Sequence, residues 1–281
     1  MKFFNIIILT FSFSLGALAQ DTLFIYYDHN WKEISNKEVA SFYRKAFTTA
    51  DKHYMAYDYY IDGNIQMIGE YKDKKYKEKN GSFTYYFVNG KVSSKGECVK
   101  DKNQGLWTIF YENGQKDSEG IYEKGLLEGN WQYWFENGKP RTMINYKANK
   151  AEGDGVFWYE TGEIKAHGKF LNNAKDGVWK YLYKNGDTSG EEFYTNGKVS
   201  SSTEYYSDNK IKSKGGYVDG KLSGVFTYWD VNNRVIWEGS YLNGKYEGEW
   251  TRFFKNGEKM RVLFENGNMV RQNLGGIITN N

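Results

Sequence analysis

The sequence predicts an all-β protein, an elongated single-layer antiparallel β-meander of about nine β-hairpin repeats with a short N-terminal strand and helix as a cap. The first observation is a recurring pattern: an aromatic cluster, an Asn-Gly-like turn, a glycine and a further aromatic residue. Its copies between Tyr54 and Val270 are spaced by 27, 24, 24, 26, 22, 24, 23 and 24 residues. The second is composition, with 19% aromatic residues and one proline, which favours strands. A fixed period of this length indicates an array of one supersecondary unit.

Each copy has the pattern of a β-hairpin, and we call its opening residue position 0. The openings are Tyr54, Gly81, Gly105, Gly129, Gly155, Gly177, Ser201, Gly224 and Gly248. After Gly129, Trp131 and Tyr133 share one face of an extended strand, whereas Trp134 points to the other. Asn137-Gly138 is typical of a two-residue hairpin turn with positive φ angles.

Glycines in the returning strands give a second regular feature of the repeat. A glycine weakens a strand interior, so its recurrence indicates close approach of something bulky. We expect an aromatic ring from the neighbouring strand to lie over each one. These glycines are Gly69, Gly96, Gly120, Gly168, Gly190, Gly215 and Gly239.

The ends of the chain predict four segments: a signal peptide (residues 1–19), an N-terminal cap (20–53), the repeat array (54–272) and a C-terminal tail (273–281). Lys2, the apolar run from Phe3 to Leu15 and the small residues of Ala17-Leu18-Ala19 are typical of a cleaved export signal. Within the cap, Leu23 to Tyr27 is expected to form a strand. Ser35-Asn-Lys-Glu38 resembles a capping box that would open a short helix ending at Phe47.

The sequence gives little support for catalysis. Its three histidines, His29, His53 and His167, lie in different contexts without metal-ligand spacing, and Cys98 has no histidine near it in sequence. We therefore expect no catalytic residues, no metal site and no cofactor. The 38 basic and 35 acidic residues are interspersed, which argues against a nucleic-acid partner.

The aromatic residues at position 5 are the candidate binding residues, and we call them the outer row. Those proposed to bind a partner are Tyr86, Phe110, Trp134, Tyr206, Trp229 and Phe253, with Tyr59 and Leu182 at the same position of other copies. The alternative, that these rings only pack across strands, stays open. Position 2 is expected to form a structural spine of Phe83, Trp107, Trp131, Phe157, Trp179, Phe226 and Trp250.

The pattern Gly-x-Trp-x-x-(aromatic)-x-x-Asn-Gly, then Gly-x-Tyr and a closing glycine, resembles the MORN (membrane occupation and recognition nexus) repeat. A near-complete copy contains Gly105, Trp107, Phe110, Asn113, Gly114, Gly120, Tyr122, Gly125 and Gly129. The resemblance covers about three quarters of the chain. It is closest in pattern to the bacterial MORN-variant group often labelled YwqK-type antitoxins. The segment before the repeats is similar to leaders of Gram-negative envelope proteins.

Three functions follow as hypotheses. The first is a non-enzymatic scaffold, exported to the periplasm or cell surface of a Gram-negative bacterium, that docks another envelope protein. The second is a module that binds glycans or lipid headgroups through the outer row. The third, implied by the family label, is an antitoxin-like partner of a toxin. After signal cleavage we expect no transmembrane segment.

Overall fold

The computed structural model describes residues 22–274 and 277–280, so the predicted signal peptide (residues 1–19) lies outside the described residues. The chain forms two compact units. The first unit comprises the residues up to Gly90 together with Cys98–Asp101. The second comprises Lys91–Glu97 and the residues from Lys102 onward.

The first unit is a small antiparallel sheet. Its strands are β1 (Leu23–Tyr27), β2 (Glu33–Ile34), β3 (Phe42–Thr48), β4 (Tyr54–Tyr60), β5 (Ile65–Tyr71) and β6 (Lys79–Tyr86). Strand β1 pairs with both β2 and β3. From β3 to β6 each strand pairs with its successor in the chain, which is the order of a meander.

The predicted strand from Leu23 to Tyr27 is confirmed, but the predicted helix from Ser35 to Phe47 is wrong. Only a 3₁₀ turn forms there, at Lys37–Val39, with the side chain of Asn36 accepting a hydrogen bond from a backbone N–H inside the turn. The residues after it enter β3, where Arg44 and Ala46 are buried and their neighbours are not. This two-residue alternation fits a sheet with one covered face and not a helix.

The second unit continues the same architecture. Its strands are β7 (Val92–Val99, ending in the first unit), β8 (Lys102–Phe110), β9 (Lys116–Glu123), β10 (Leu126–Trp134), β11 (Pro140–Lys147), β12 (Lys150–Trp158), β13 (Ile164–Leu171), β14 (Ala174–Leu182), β15 (Thr188–Thr195), β16 (Lys198–Tyr205), β17 (Ile211–Val218), β18 (Lys221–Trp229), β19 (Val235–Leu242), β20 (Lys245–Phe253), β21 (Lys259–Glu265), β22 (Asn268–Leu274) and β23 (Ile277–Asn280). From β8 to β23 each strand pairs antiparallel with the next.

Within each unit the fold class is therefore confirmed as an all-β, single-layer antiparallel meander of hairpin repeats. Strand β23 lies inside the segment predicted as a tail (273–281). The segment boundaries at residues 19, 53 and 272 stay predictions.

Strand register corrects two of the predicted repeat openings. Gly129 and Gly177 have φ angles of +64° and +62°, and Gly153 shares this left-handed conformation at +92°, whereas Gly155 does not. Gly153 is therefore position 0 of its copy. In β16, Ser202 pairs with Gly215 as the position 2 residues do elsewhere, which moves that opening from Ser201 to Ser200. The steps from Gly81 to Gly248 then become 24, 24, 24, 24, 23, 24 and 24 residues.

The two series of turns have different geometry, and the prediction for the first series is wrong. In the hairpin loop of Glu112-Asn113-Gly114 only the glycine has a positive φ angle, and the N–H of Gly114 donates to the carbonyl of Tyr111 at 2.9 Å. This is a type I turn followed by a left-handed residue, a three-residue loop. Two-residue turns with two positive φ angles occur instead between hairpins, for example at Lys124-Gly125 (+53° and +84°).

Candidate binding faces

The two faces of the sheet in the second unit differ in burial. The spine rings at position 2 are almost completely covered, since Trp131 and Trp250 are 2% and 0% exposed. The rings of the outer row, which point to the opposite face, are all partly exposed. The face that carries the spine is therefore the core of the array, and the outer row is accessible to a partner.

The prediction that Phe157 belongs to the spine is wrong: with Gly153 at position 0, Gly155 stands at position 2, and Phe157 stands at position 4, paired with Ala166. Each of the other spine rings packs on a glycine of the preceding strand. A Cβ atom added at Gly120 would lie 2.3 Å from the Trp131 ring, and one at Gly239 would lie 2.2 Å from the Trp250 ring. The same contact occurs at Gly96, Gly168 and Gly215, and in the first unit between Gly69 and Phe83. The predicted ring over Gly190 is wrong, because its nearest side-chain atom, on Tyr181, lies at 3.9 Å.

The glycine at position 0 explains why tryptophan suits position 2. At Gly129 the left-handed backbone interrupts the pairing of β10 with β9, so the register jumps between Glu128 and Gln132. The indole Nε1–H of Trp131 donates to the carbonyl of Ile121 at 3.1 Å within this interruption. Trp107, Trp179 and Trp250 make the equivalent bonds at 2.9, 2.9 and 2.8 Å.

The spine is interrupted at two copies of the second unit, first at Gly155, which the Phe170 ring covers, and then at Ser202. Ser202 stands at position 2 of its copy, and Glu192 stands opposite it where most copies have glycine. The Glu192 carboxylate accepts hydrogen bonds from the hydroxyls of Tyr181 (2.5 Å) and Tyr194 (2.7 Å). Lys175 donates to the Tyr181 hydroxyl at 2.6 Å, and burial lowers the pKa of Lys175. A polar network thus replaces one ring, and sequence reasoning missed it because its members are far apart in the chain.

Four predicted members of the outer row occupy equivalent positions in the second unit: Phe110, Trp134, Trp229 and Phe253. Each pairs with the first residue of the returning strand. Lysines lie over several of these rings. The distance from Nζ to the ring centroid is 5.4 Å for Lys116 on Trp134 and 5.2 Å for Lys259 on Phe253. The face therefore combines aromatic rings with ammonium groups.

Two members of the outer row are corrected. Tyr206 lies one position beyond the row, and Tyr205 takes its place by pairing with Ile211. The Tyr206 hydroxyl donates to the carbonyl of Trp229 at 2.8 Å, so it joins neighbouring hairpins. Trp158 belongs to the row, because it pairs with Ile164 as the other members pair. It was missed because the sequence pattern took Gly155 as the opening of that copy.

Tyr86 is the predicted binding residue that lies in the first unit. It ends β6 and is partly exposed, and burial of its ring raises the pKa of its hydroxyl. Whether any residue of the outer row binds a partner stays a prediction.

The covered face of the first unit contains a charged pair. The Arg44 guanidinium donates to both carboxylate oxygens of Asp58 at 2.6 and 2.8 Å, and also to the Tyr71 hydroxyl and the Tyr76 carbonyl. Burial opposes the charge of Arg44, but the bonds to Asp58 outweigh burial and raise the pKa of Arg44. Because every hydrogen-bonding group is matched, this cluster has the character of a structural network and not of a reactive site.

Groups with catalytic geometry do not come together in the described part of the chain. No cluster of three His, Cys, Asp or Glu side chains there could hold a metal ion. A shallow depression of about 540 Å³ lies over β12 to β14, and His167 is in its lining with Asp154, Lys169 and Asp176. His167 makes no hydrogen bond to a described residue, so no base and nucleophile are paired in it.

Within the described ranges, no helix is both long and apolar enough to span a membrane.

The comparison with protein families agrees with the hairpin geometry. Residues 103–124 and residues 127–148 each match the family described as MORN repeat variant. These segments include all of β9 and β11 and all but the first residue of β8 and of β10. MORN repeats are scaffold repeats that commonly mediate interactions with proteins or membrane lipids. A comparison with curated proteins gave no match.

Among solved structures, the chain is similar to one titled "Crystal Structure of TcdB2-TccC3-TEV", with 8% sequence identity and a TM-score of 0.20. The similarity covers 88% of this chain and spans 14% of that one.

Proposed function

We propose that this protein is a non-enzymatic repeat scaffold that is exported to the periplasm or cell surface of a Gram-negative bacterium and docks another envelope protein on its outer row. The observation that carries the proposal is the accessible face of the second unit, where a partly exposed ring stands at position 5 of every hairpin from β8 to β21 except the one with Leu182, although the spine already supplies the core. The MORN repeat match supports an interaction role.

Exposed aliphatic residues on the same face favour a protein as the partner. Leu106, Val178 and Val225 stand at position 1 of their copies and are 56%, 56% and 62% exposed. Positions 1 and 5 share a face because side chains alternate along a strand. Aromatic residues dominate the binding energy of protein interfaces, so exposed aliphatic residues that share a face with a row of rings suit a protein partner.

The test is capture of a partner that depends on the outer row. The mature protein is cross-linked in envelope extract beside the double variant Trp134→Ser/Trp158→Ser. We expect the wild type to retain a defined protein and the double variant to bind it at least about tenfold more weakly, because loss of interface aromatics costs several-fold to many-fold in affinity. The matched control is Phe254→Ser, which removes an exposed ring outside the row.

Equal binding by the wild type and the double variant would contradict the outer row as the docking face. A monodisperse wild-type protein that captures nothing would contradict the scaffold itself. Cell fractionation tests location separately: retention in the cytoplasm would overturn the envelope assignment and favour the antitoxin-like role.

A further inference from the structure

The first unit has an aromatic surface of which the outer row accounts only for Tyr59. It is a grid of six side chains on three neighbouring strands, which we call the tyrosine platform: Phe24, Tyr26, Tyr43, Lys45, Tyr57 and Tyr59. One row of the grid is formed by the pairing of Tyr26 with Tyr43 and of Tyr43 with Tyr59. The other is formed by the pairing of Phe24 with Lys45 and of Lys45 with Tyr57. Residues paired in this way share a face of the sheet.

The platform is not the core of the first unit. The opposite face of the same strands carries the buried residues Arg44, Ala46, Ala56 and Asp58. The platform side chains are partly or largely exposed, and Phe24 is 50% exposed. Their rings are nevertheless organised. Tyr43 and Tyr59 stack with centroids 4.9 Å apart and 9° between planes.

Four polar groups of the platform have no hydrogen-bond partner among the described residues. The ammonium of Lys45 lies 5.0 Å from the Tyr59 centroid, 5.8 Å from that of Tyr43 and 5.9 Å from that of Phe24. Among the described residues it forms no ion pair and no hydrogen bond. The hydroxyls of Tyr26, Tyr43 and Tyr59 likewise make no hydrogen bond to a described residue. One cation and three hydroxyl groups are therefore available to a ligand.

A depression adjoins the platform and gives it depth. Its volume is about 340 Å³, and it is lined by Phe24, Tyr26 and Tyr43 together with Lys37, Glu38 and Ile61. This volume is at the lower end of small-molecule sites, about 300 to 1,000 Å³. Lys37 and Glu38 balance each other in charge, so Lys45 supplies the net charge of the site.

We propose that the tyrosine platform binds an anionic saccharide, a pyranose ring that carries a carboxylate. The C–H groups of a pyranose are weakly positive and pack on the negative face of an aromatic ring. The carboxylate would pair with Lys45, and ring hydroxyls would bond to the free phenol groups. A hydrogen bond to an ionised group is stronger than one between neutral groups, so the acid is preferred over a neutral sugar.

The charge pattern separates this ligand from other occupants. Single-stranded nucleic acid needs a groove of positive charge that follows the phosphates, whereas the platform has one ammonium. A purely apolar peptide would leave that ammonium and the tyrosine hydroxyls without partners. Tyr59 belongs to both the platform and the outer row, but the variants that test the protein partner, at Trp134 and Trp158, lie outside the platform, so the two proposals are tested separately.

The experiment titrates trigalacturonic acid and its methyl ester into the mature protein, with calorimetry for affinity and backbone NMR for location. The ester keeps the rings and removes the charge. We expect the acid to bind about tenfold more tightly than the ester, as one charge-assisted bond allows, with shifts centred on β1, β3 and β4. In Lys45→Gln the acid should bind no better than the ester. In Tyr43→Ala both should lose binding.

Lys95→Gln is the matched control, since it removes a lysine that lies 5.9 Å from the Phe110 centroid in the second unit. It should bind both ligands as the wild type does. Equal affinity of acid and ester, shifts outside the platform, or no binding at about 10 mM would overturn the proposal. So would tighter binding of a short single-stranded oligonucleotide or of an apolar peptide to the same residues.

Discussion

At the scale of single residues, a ring on a glycine is the contact that repeats most often. In the second unit the indoles of Trp107, Trp131, Trp179 and Trp250 lie on glycines so closely that no Cβ atom fits beneath them. The ring covers the backbone that glycine exposes, and its N–H bonds to the next carbonyl. One glycine and one tryptophan on adjacent strands are therefore a single structural unit.

The first prediction concerns Gly120→Ala. The new methyl group would need space 2.3 Å from the Trp131 ring, which must shift from its covered position and strain its bond to the Ile121 carbonyl. Overpacking of this kind costs about 2 to 3 kcal/mol in free energy of unfolding. Urea denaturation measures the loss.

Gly190→Ala is the matched control for that variant. Its Cβ would meet only ordinary contacts at 3.5 and 3.9 Å, and its φ angle suits any residue. Its free energy of unfolding should change by less than about 1 kcal/mol, with a gain of stability allowed. An equal loss in both variants would show that the ring contact is not the cause.

The second prediction concerns pH and His53. The Nδ1 of His53 lies 2.5 Å from Glu70 Oε1, and this bond and the carboxylate charge raise the pKa of His53 above its ordinary 6.5. The stabilisation is therefore complete below pH 6.5 and is lost as pH rises through the raised folded-state pKa. Denaturant midpoints measured across neutral pH should show this fall.

Glu70→Gln should remove the part of the fall in denaturant midpoint that is due to His53. The His53 imidazole resonance should then titrate at lower pH than in the wild type. Because His53 is exposed, the effect on stability is small. A His53 resonance whose midpoint is unchanged by the variant would contradict the proposed pair.

At the scale of elements, the sequence pattern was sufficient for the hairpins but not for their register. The strand at Leu23 to Tyr27 and the meander follow from two-residue alternation and turn residues. The opening of one copy does not, because Gly153 and Gly155 are both glycines and only the φ angle separates them. Because of that ambiguity, the sequence pattern did not place Trp158 in the outer row. Taking Ser201 instead of Ser200 as an opening likewise placed Tyr206 in the row instead of Tyr205.

The helix predicted to end at Phe47 failed for a related reason. A capping-box sequence is a local signal, whereas burial of Arg44 and Ala46 depends on strands that come from elsewhere in the chain. Tertiary pairing outweighed the local preference. The polar network at Glu192 could not be predicted from the sequence for the same reason, since its members come into contact only when the strands pair.

The third prediction concerns Tyr206→Phe, which tests its corrected role as a link between hairpins. Removing the hydroxyl deletes the bond to the Trp229 carbonyl and should cost about 1 kcal/mol in free energy of unfolding. Capture of the partner on the outer row should stay unchanged. Phe135 occupies the equivalent position in another copy. It has no hydroxyl, so Phe135→Leu is a control that removes no hydroxyl bond between hairpins.

A Tyr206→Phe variant with full stability and weakened partner binding would reverse the assignment. It would return Tyr206 to the binding face and remove its structural role.

At the scale of the molecule, the second unit is held by contacts between strands that are neighbours in the sheet. Phe226, Tyr241 and Trp250 form one buried cluster, and the partly buried rings around it come from β17 to β21. Repeats that touch only their neighbours have stability that is a sum of local terms. A defect in one hairpin should therefore stay local.

The fourth prediction tests this locality with hydrogen exchange. Trp250→Ala removes a fully covered ring and should destabilise its surroundings by about 3 to 5 kcal/mol. Amides of β18 to β21 should exchange faster, whereas those of β8 to β11 keep wild-type rates. Trp131→Ala should give the reverse pattern, because its ring packs on β9. Both variants lie in the second unit and remove the same side chain, so they control for each other. Uniform loss of protection along β8 to β21 in either variant would show that the second unit unfolds as one cooperative body. A substitution in one hairpin would then alter the stability of the whole binding face and not only of its own part.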